Sequence, residues 1–330
     1  MWKGFLYFFV LIACAAGICF YFISENKDYT DHYYNGETVE LGMSDRFQEY
    51  SLTGFHTENA VIRNNTEINA DRYTDNTYAA LMIDNTDNRC IVAHNVFRRI
   101  YPASMTKLVT AMLACEAIEN GEIDLDQVIT LTHDIEFPDF DGAMHSGLTE
   151  GCQITVRNLM YAFMMCSYND FGVMLGELIC GSEEAFVKRM NDKMVEIGAT
   201  NCHFANTHGL DDLNHYVTAY DMYLIIREAS KYELLEEIDS YKTYTYFYKN
   251  AEGEYIQEDL EPTNKFVSEK VRMPSNIKIK SWKTGTTELA GYCLAMILDI
   301  NGKEYTIVVT DSESSEDLYD TISAMFNLAE

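Results

Sequence analysis

The sequence predicts an α/β fold in which strands from both chain ends build an antiparallel sheet and a helical central region covers it. Short strand-like runs lie within residues 78–94 and again after residue 241. Between them, from residue 104 to about residue 230, apolar side chains recur mainly at helical spacing. The chain has 330 residues, 47% of them hydrophobic, which is enough to bury a large core.

The first strand pair is predicted at residues 78–94, on either side of the turn-like segment 84–88. The clearest helix signal begins at Ser104 and should end near Gly121. Its apolar residues follow the i, i+3, i+4, i+7, i+8 spacing of an amphipathic helix: Met105, Leu108, Val109, Met112 and Leu113.

Strands return in the last third of the chain, first within residues 241–257. Three more are predicted at residues 278–283, 291–299 and 304–310. The last two are joined by Ile300-Asn-Gly-Lys303, and Asn-Gly is the strongest short hairpin signal. A final helix is predicted at residues 316–328.

The N-terminal segment predicts a membrane anchor. Residues 4–23 form an apolar run of about 20 residues, long enough to span a bilayer. A cleaved secretory signal has an apolar core of about 7 to 15 residues, so a retained anchor over residues 1–24 is favoured and cleavage is the alternative. Lipidation at Leu11-Ile-Ala-Cys14 ranks third. A polar, acidic tether over residues 25–60 and a catalytic domain over residues 61–330 are expected to follow.

Charge and cysteine usage exclude some classes of function. A formal net charge of −28 argues against nucleic-acid binding through a basic surface. Seven cysteines lie outside the apolar N-terminus, without a Cys-x-x-Cys pair. Cys115, Cys166 and Cys293 fall within apolar or motif segments, so they are interpreted as small buried hydrophobic residues.

Three short strings carry the chemistry: Ser104-Met-Thr-Lys107, Ser167-Tyr-Asn169 and Lys283-Thr-Gly285. A serine hydroxyl is a poor nucleophile at neutral pH, and a neutral lysine one helical turn away can take its proton. This requires a lysine pKa near 7 to 8 instead of about 10.4, lowered by burial and by a neighbouring cation such as Lys283. Ser-x-x-Lys also occurs at Ser24 and Ser275, so context must distinguish Ser104.

The context of these strings resembles one family, the serine D-alanyl-D-alanine carboxypeptidases, which are penicillin-binding proteins. The resemblance covers roughly residues 75–312 and implies the serine β-lactamase/DD-peptidase-like fold. Its segments are Tyr101-Pro-Ala-Ser-Met-Thr-Lys-Leu-Val-Thr-Ala111, residues 155–170, residues 206–221 around Asn206-Thr-His-Gly-Leu-Asp211, Thr263-Asn-Lys265, and residues 283–293.

The resemblance implies a role for each motif residue. Ser104 would attack the carbonyl between the two terminal D-alanines of a peptidoglycan stem peptide, and Lys107 would take its proton. Ser167 would relay a proton to the leaving D-alanine, while Asn169 holds the substrate's amide. The substrate's carboxylate would be bound by the third string and its neighbour: Lys283, Thr284, Gly285 and Thr286, in which Gly285 permits close approach of the strand.

The backbone amides of Ser104 and Thr286 would form the oxyanion hole. No metal or organic cofactor is needed. β-Lactams are expected as inhibitors and the cytoplasmic membrane as a partner, with the catalytic domain outside the bacterial cell membrane, or secreted after cleavage.

One departure from the family pattern keeps alternatives open. Tyr168 stands where the family usually has a small residue, and a bulky ring could narrow the cleft. A serine β-lactamase is one alternative, although Glu261–Asn264 lies too late in the chain to match its deacylating segment. A non-catalytic binder of wall peptide is the other.

Three histidines invite interpretation as a metal site, but the pattern does not favour one. His203, His208 and His215 match no common zinc spacing. A turn is favoured instead, with Gly209 at positive φ and Asp211 and Asp212 accepting hydrogen bonds from nearby backbone amides.

Overall fold

A five-stranded antiparallel sheet joins the two ends of the region that the computed structural model describes, which comprises residues 59–62, 66–70, 79–140 and 142–329. The strand order is β2-β1-β9-β8-β7, and Ala79 near the start pairs with Thr310 near the end. This confirms the predicted sheet. Its strands are β1 (Ala79–Asp84), β2 (Arg89–His94), β7 (Ile277–Thr287), β8 (Gly291–Ile300) and β9 (Lys303–Ser312).

The hairpin turns form as the sequence predicts. Between β8 and β9, Asn301 and Gly302 both adopt positive φ, at 56° and 85°, as a tight hairpin requires. Between β1 and β2, the Asp84 carboxylate accepts hydrogen bonds from the amides of Thr86 and Asp87. The strand predicted at residues 278–283 is longer than expected, because β7 continues through Lys283-Thr-Gly285 to Thr287.

Both faces of this sheet are buried, which explains why its inner strands read as nearly continuous apolar runs. On one face, Leu294, Met296 and Val309 pack with the final helix α7 (Ser315–Phe326). On the other face, Ala295 and Val308 belong to a larger core shared with the helical region. The predicted final helix is therefore confirmed, and it shields the sheet on one side.

The central region is less uniformly helical than predicted. Its helices are α1 (Lys107–Glu119), α2 (Val156–Cys166), α3 (Asn169–Cys180), α4 (Glu183–Ile197) and α5 (Ala219–Ala229). Residues 131–140, 142–152 and 199–218 are mostly irregular, and a further helix, α6 (Glu233–Asp239), lies beyond residue 230. Turn residues such as Gly147, Gly151, Gly198 and Gly209, all at positive φ, interrupt the helical pattern.

A second, four-stranded sheet with the order β3-β4-β5-β6 borders the helical region. Its strands are β3 (Val128–Thr130), β4 (Gln153–Thr155), β5 (Tyr244–Lys249) and β6 (Tyr255–Leu260). The sequence predicts β5 and β6 but misses β3 and β4, because three residues are too few to show an alternating pattern.

The helix that begins after Ser104 differs from its prediction in one respect. It is preceded by a 3-10 turn, Ala103–Thr106, and α1 is buried on nearly all faces rather than amphipathic. Its polar residues Lys107 and Thr110 are buried as well. The apolar spacing correctly predicts a helix, but the small residues between the larger ones also face neighbouring helices.

The predicted anchor over residues 1–24 and almost all of the tether over residues 25–60 lie outside the described residues. Within the described ranges, no helix combines the length and apolar character needed to cross a membrane. The seven cysteines outside the apolar N-terminus are free thiols; Cys115 and Cys293 are buried, as predicted, whereas Cys166 is only partly buried.

Candidate active site

The site is built around the 3-10 turn that carries Ser104. Gly209 and Gly285 approach this turn closely. A Cβ on Gly285 would lie 2.9 Å from the Pro102 carbonyl oxygen and 3.1 Å from the Ser104 nitrogen, and a Cβ on Gly209 would overlap the Ala103 carbonyl. Ala103 itself adopts a left-handed φ of 46°. The backbone around the candidate nucleophile is thus held by close contacts that only glycine permits.

Lys107 lies beneath Ser104 and is fully buried. Its Nζ is 3.0 Å from Ser104 Oγ, 2.7 Å from Asn169 Oδ1 and 2.6 Å from the His208 carbonyl oxygen. A neutral amine has two N–H groups and one lone pair. The amide and carbonyl oxygens can accept both N–H groups, which leaves the lone pair to accept the Ser104 hydroxyl proton.

Burial is the main reason why the pKa of Lys107 lies well below its usual value, and the positive charge of Lys283 lowers it further. The carboxylate of Asp170 opposes this shift. The side chain is therefore suited to act as a base near neutral pH.

The second string forms the junction between α2 and α3. Ser167 ends α2 in a left-handed conformation with φ of 64°, and its Oγ accepts a hydrogen bond of 3.1 Å from Lys283 Nζ. Asn169 begins α3, and its backbone N–H donates to the Met144 carbonyl oxygen at 2.8 Å. Because Asn169 Oδ1 accepts from Lys107, its NH₂ group is the one left to donate to a ligand.

The third string lies on β7, the edge strand of the main sheet. Lys283 is fully buried, and its Nζ also donates to the Thr284 carbonyl oxygen at 3.1 Å. Burial lowers the pKa of Lys283 to about 7, and the charge of Asp239 opposes that decrease. The Thr284 hydroxyl is hydrogen bonded to that of Thr263 at 2.6 Å.

A cavity of about 650 Å³ opens beside Ser104, with Asn169 and Thr286 in its walls. Its rim is partly apolar and partly acidic: Phe140, Met144, Leu210, Leu289, Asp139, Asp211 and Glu288. Tyr168 is not among the residues that line it. Its half-buried ring packs against Phe171, with 5.6 Å between ring centroids.

A buried carboxylate fixes the irregular segment 131–152 against the site. Asp170, 1% exposed, accepts hydrogen bonds from the amide and the hydroxyl of Ser146. The same segment supplies Met144, which contacts Asn169, and Phe140 on the cavity rim. The motifs did not predict that Asp170 holds this segment, although Asp170 directly follows the second string.

The predicted turn at His208 and Gly209 is confirmed, with a φ of 95° at Gly209. Asp212 accepts from the amide of Asn214, as expected, but Asp211 reaches across to the end of β7, where it accepts from Thr287 Oγ1 at 2.6 Å. His215 Nε2 is 2.8 Å from Thr106 Oγ1. In the described part of the chain, no group of three or more potential ligands could hold a metal ion.

The structure thus arranges the motif residues in two hydrogen-bonded groups, Lys107 with Ser104 and Asn169, and Lys283 with Ser167, while Gly285 contacts the nucleophile turn. Ser104, Asn169 and Thr286 line the cavity, whereas four other predicted site residues are not among its lining residues: Lys107, Ser167, Lys283 and Thr284. Sequence reasoning missed the contribution of the His208 carbonyl, although His208 lies in a segment that carries the resemblance, and that of Asp239, which carries no motif signal.

Comparison with known proteins points to one family. The family model for D-alanyl-D-alanine carboxypeptidase, peptidase S11, matches residues 64–314. The D-alanyl-D-alanine carboxypeptidase DacF of Bacillus subtilis is 33% identical over 217 residues, covering 66% of this chain and 52% of that protein. The chain therefore spans about half the length of the curated relatives it matches.

Two solved structures show the same fold. Penicillin-binding protein D2 of Listeria monocytogenes, bound to cefotaxime, has a TM-score of 0.64 at 24% identity, covering 76% of this chain and 96% of that one. The Streptomyces K15 DD-transpeptidase has a TM-score of 0.67 at 22% identity, covering 77% and 97%. These similarities confirm the predicted serine β-lactamase/DD-peptidase-like fold.

Proposed function

Because the chain belongs to the D-alanyl-D-alanine carboxypeptidase family, peptidase S11, we propose that it is a serine carboxypeptidase that removes the terminal D-alanine from peptidoglycan stem peptides. The observation that carries this proposal is the position of Lys107. Its Nζ lies 3.0 Å from Ser104 Oγ, and burial lowers its pKa, which favours the neutral amine. A base at this distance can activate the hydroxyl.

In the first step, Ser104 Oγ attacks the carbonyl carbon of the penultimate D-alanine while its proton moves to Lys107 Nζ. The developing oxyanion is stabilised by the amides of Ser104 and Thr286, and losing one such donor typically costs about 10² to 10³ in rate. The contact between Gly285 and the nucleophile turn supports this placement, because it brings β7 alongside the Ser104 amide.

In the second step, the C–N bond breaks and the leaving D-alanine nitrogen takes a proton from Ser167 Oγ, which accepts a hydrogen bond from Lys283. The proton that Lys107 took from Ser104 replaces it in turn, which leaves Lys107 neutral again. Water next attacks the acyl ester, with Lys107 as its base, and the released Ser104 regains its proton.

β-Lactams would acylate Ser104 in the same way. Their amide bond lies within a ring, so the leaving amine remains attached to the acyl-enzyme and hinders the approach of water. Slow deacylation follows, which distinguishes a penicillin-binding carboxypeptidase from a β-lactamase.

The test is covalent labelling of the full chain by fluorescent penicillin, together with release of D-alanine from a peptide ending in D-Ala-D-Ala. Ser104→Ala should abolish both signals. Ser275→Ala is a matched control, because exposed Ser275 begins another Ser-x-x-Lys string outside the site.

Slow drug release and D-alanine production would support the carboxypeptidase. Rapid hydrolysis of the drug would favour the β-lactamase. Absence of both labelling and turnover from folded protein would leave only the binder.

The proposal also includes the cellular location. An anchor over residues 1–24 and a tether over residues 25–60 would hold the catalytic domain outside the cytoplasmic membrane, close to its substrate. Deletion of residues 1–24 should move the penicillin-labelled protein from the membrane fraction to the soluble fraction of cells. Unchanged fractionation would reject the anchor.

A further inference from the structure

Asp239, outside every motif, places a buried carboxyl group against the strand that carries Lys283. It ends α6 and is 3% exposed. Its Oδ2 accepts from Ser281 Oγ at 2.9 Å and from the Trp282 amide at 3.1 Å, and its backbone oxygen accepts from Trp282 Nε1 at 3.2 Å. Three hydrogen bonds therefore tie Asp239 to the two residues that precede Lys283.

The second carboxyl oxygen, Oδ1, is buried without a hydrogen-bond partner. A buried anion with an unpaired oxygen is costly unless a positive charge lies near. Burial raises the pKa of Asp239 to about 7, while its two donors and the charge of Lys283 oppose that rise. In the described part of the molecule, Lys283 is the cation that acts on this carboxyl group.

Lys283 is the matching case of a buried positive charge. It is fully buried, and the partners of its Nζ, Ser167 Oγ and the Thr284 carbonyl, are neutral. Three titratable groups act on it from the elements packed around it: Asp239 at the end of α6, the Cys166 thiol at the end of α2, and Lys107 on α1. Burial raises the pKa of Cys166, so that thiol stays neutral. Lys107 is neutral when it acts as the base and repels Lys283 when protonated, which leaves Asp239 as the anion.

The described lining of the cavity offers a substrate carboxylate hydroxyl and amide groups but no positive charge. Among the described residues that line it, none is lysine or arginine, and three are acidic: Asp139, Asp211 and Glu288. Lys283 is fully buried and is not among these lining residues, so its charge acts on an entering carboxylate from beneath the protein surface.

From these contacts we propose that Asp239 is a positioning residue that keeps Lys283 protonated, and that it thereby allows the enzyme to select substrates with a free terminal carboxylate. The inference rests on the proposed carboxypeptidase function. Its direction follows from charge: removing the anion makes the lysine easier to deprotonate, so carboxylate binding should fail at a lower pH.

The test measures kcat/KM between pH 6 and pH 9 for one D-Ala-D-Ala peptide, supplied both as the free acid and as its C-terminal amide. In Asp239→Asn, which keeps a hydrogen-bond acceptor for Ser281 and Trp282, the acid-to-amide preference should fall about tenfold or more at pH 8. For the free-acid peptide, the pH at which kcat/KM falls on the alkaline side should decrease by about one unit or more, since one unit is a tenfold change in protonation.

Two further variants separate charge from structure. Asp239→Glu restores the anion and should recover part of the preference. Ser281→Ala removes one hydrogen bond to the carboxylate without removing its charge, and should keep the preference. If Asp239→Asn does not fold, Asp239→Ser provides a second neutral side chain.

Equal losses for acid and amide, or parallel pH profiles, would overturn the proposal and leave Asp239 a purely structural role. An unmodified chain that releases no D-alanine from the acid would instead reject the proposed function. The two failures are thus distinguishable.

Discussion

At the scale of single residues, the site depends on an amine that the protein interior does not favour in its charged form. Lys107 is fully buried, and the partners of its Nζ are a hydroxyl, an amide oxygen and a carbonyl oxygen. An ammonium buried among neutral groups shifts toward its neutral form. The same burial that would destabilise a structural lysine therefore prepares this one to accept a proton.

Replacing Lys107 by glutamine removes the base while it keeps a polar side chain of similar length. We expect covalent labelling by fluorescent penicillin to slow by about 10² to 10⁴, the usual contribution of a positioned base. The time course of labelling at fixed drug concentration measures this. Lys278→Gln is the matched control, since exposed Lys278 ends the Ser-x-x-Lys string that starts at Ser275. Equal labelling rates would show that Lys107 is not the base.

The sequence is most informative at this scale for residues inside motifs. Order, spacing, local context and the family resemblance together identify Ser104, Lys107, Ser167, Asn169 and Lys283, and the structure links them in two hydrogen-bonded groups. Asp239 could not be found in this way, because its importance depends on a contact between α6 and β7, 43 residues away from Trp282 in sequence. Long-range partners of a buried charge leave no local pattern.

At the scale of elements, the nucleophile turn is set by how closely two other segments pack against it. Gly209 and Gly285 both lack a Cβ where one would collide with the 3-10 turn. Gly209 also has a positive φ of 95°. Two separate requirements, backbone angle and space, therefore fall on the same residue.

Gly209→Ala and Gly253→Ala separate these two requirements, since Gly253 has a φ of 85° but nothing within 4 Å of the position that a Cβ would occupy. Gly253→Ala should cost only the roughly 1 to 2 kcal/mol of a left-handed alanine. Gly209→Ala should cost more and should also reduce penicillin labelling, because the Ala103 carbonyl must move. Chemical denaturation measures the first effect and labelling rate the second. Similar free energies for both variants, with labelling intact, would contradict the steric argument.

Element boundaries are predicted well where a specific turn sets them, whereas the buried faces of a helix are predicted poorly when burial is nearly complete. The Asn301-Gly302 turn fixes β8 and β9 closely, because its backbone angles are specific. For α1, the spacing suggests one apolar face, whereas Ala111, Ala114 and Ala117 are buried too. Alanine suits both a buried and an exposed helix position, so sequence alone does not tell the two apart.

At the scale of the whole molecule, the sheet separates the site from the last helix. The core that contains Met105 and α1 lies on one face, and the core that contains Ile322 and Met325 of α7 lies on the other. The middle strand β9 lies between the two cores. It pairs with β1 on one side and with β8 on the other. Helix α7 should thus contribute to the free energy of unfolding without contacting Ser104 or Lys107.

Ile322→Ala tests this separation of stability from activity. The side chain is fully buried, so its truncation should lower the free energy of unfolding by about 2 to 5 kcal/mol. Asp320→Ala, on the exposed side of the same helix, should change it by no more than about 0.5 kcal/mol. Urea unfolding measures both values.

Under conditions where each variant remains folded, Ile322→Ala should acquire fluorescent penicillin at the rate of the unmodified chain, because no atom of α7 is needed to hold Ser104 or Lys107. A labelling rate that falls in proportion to the lost stability would mean that strain passes through the sheet from one core to the other. In that case the two faces would form a single cooperative unit for catalysis, and the geometry of the nucleophile turn would depend on packing across the sheet as well as on Gly209 and Gly285.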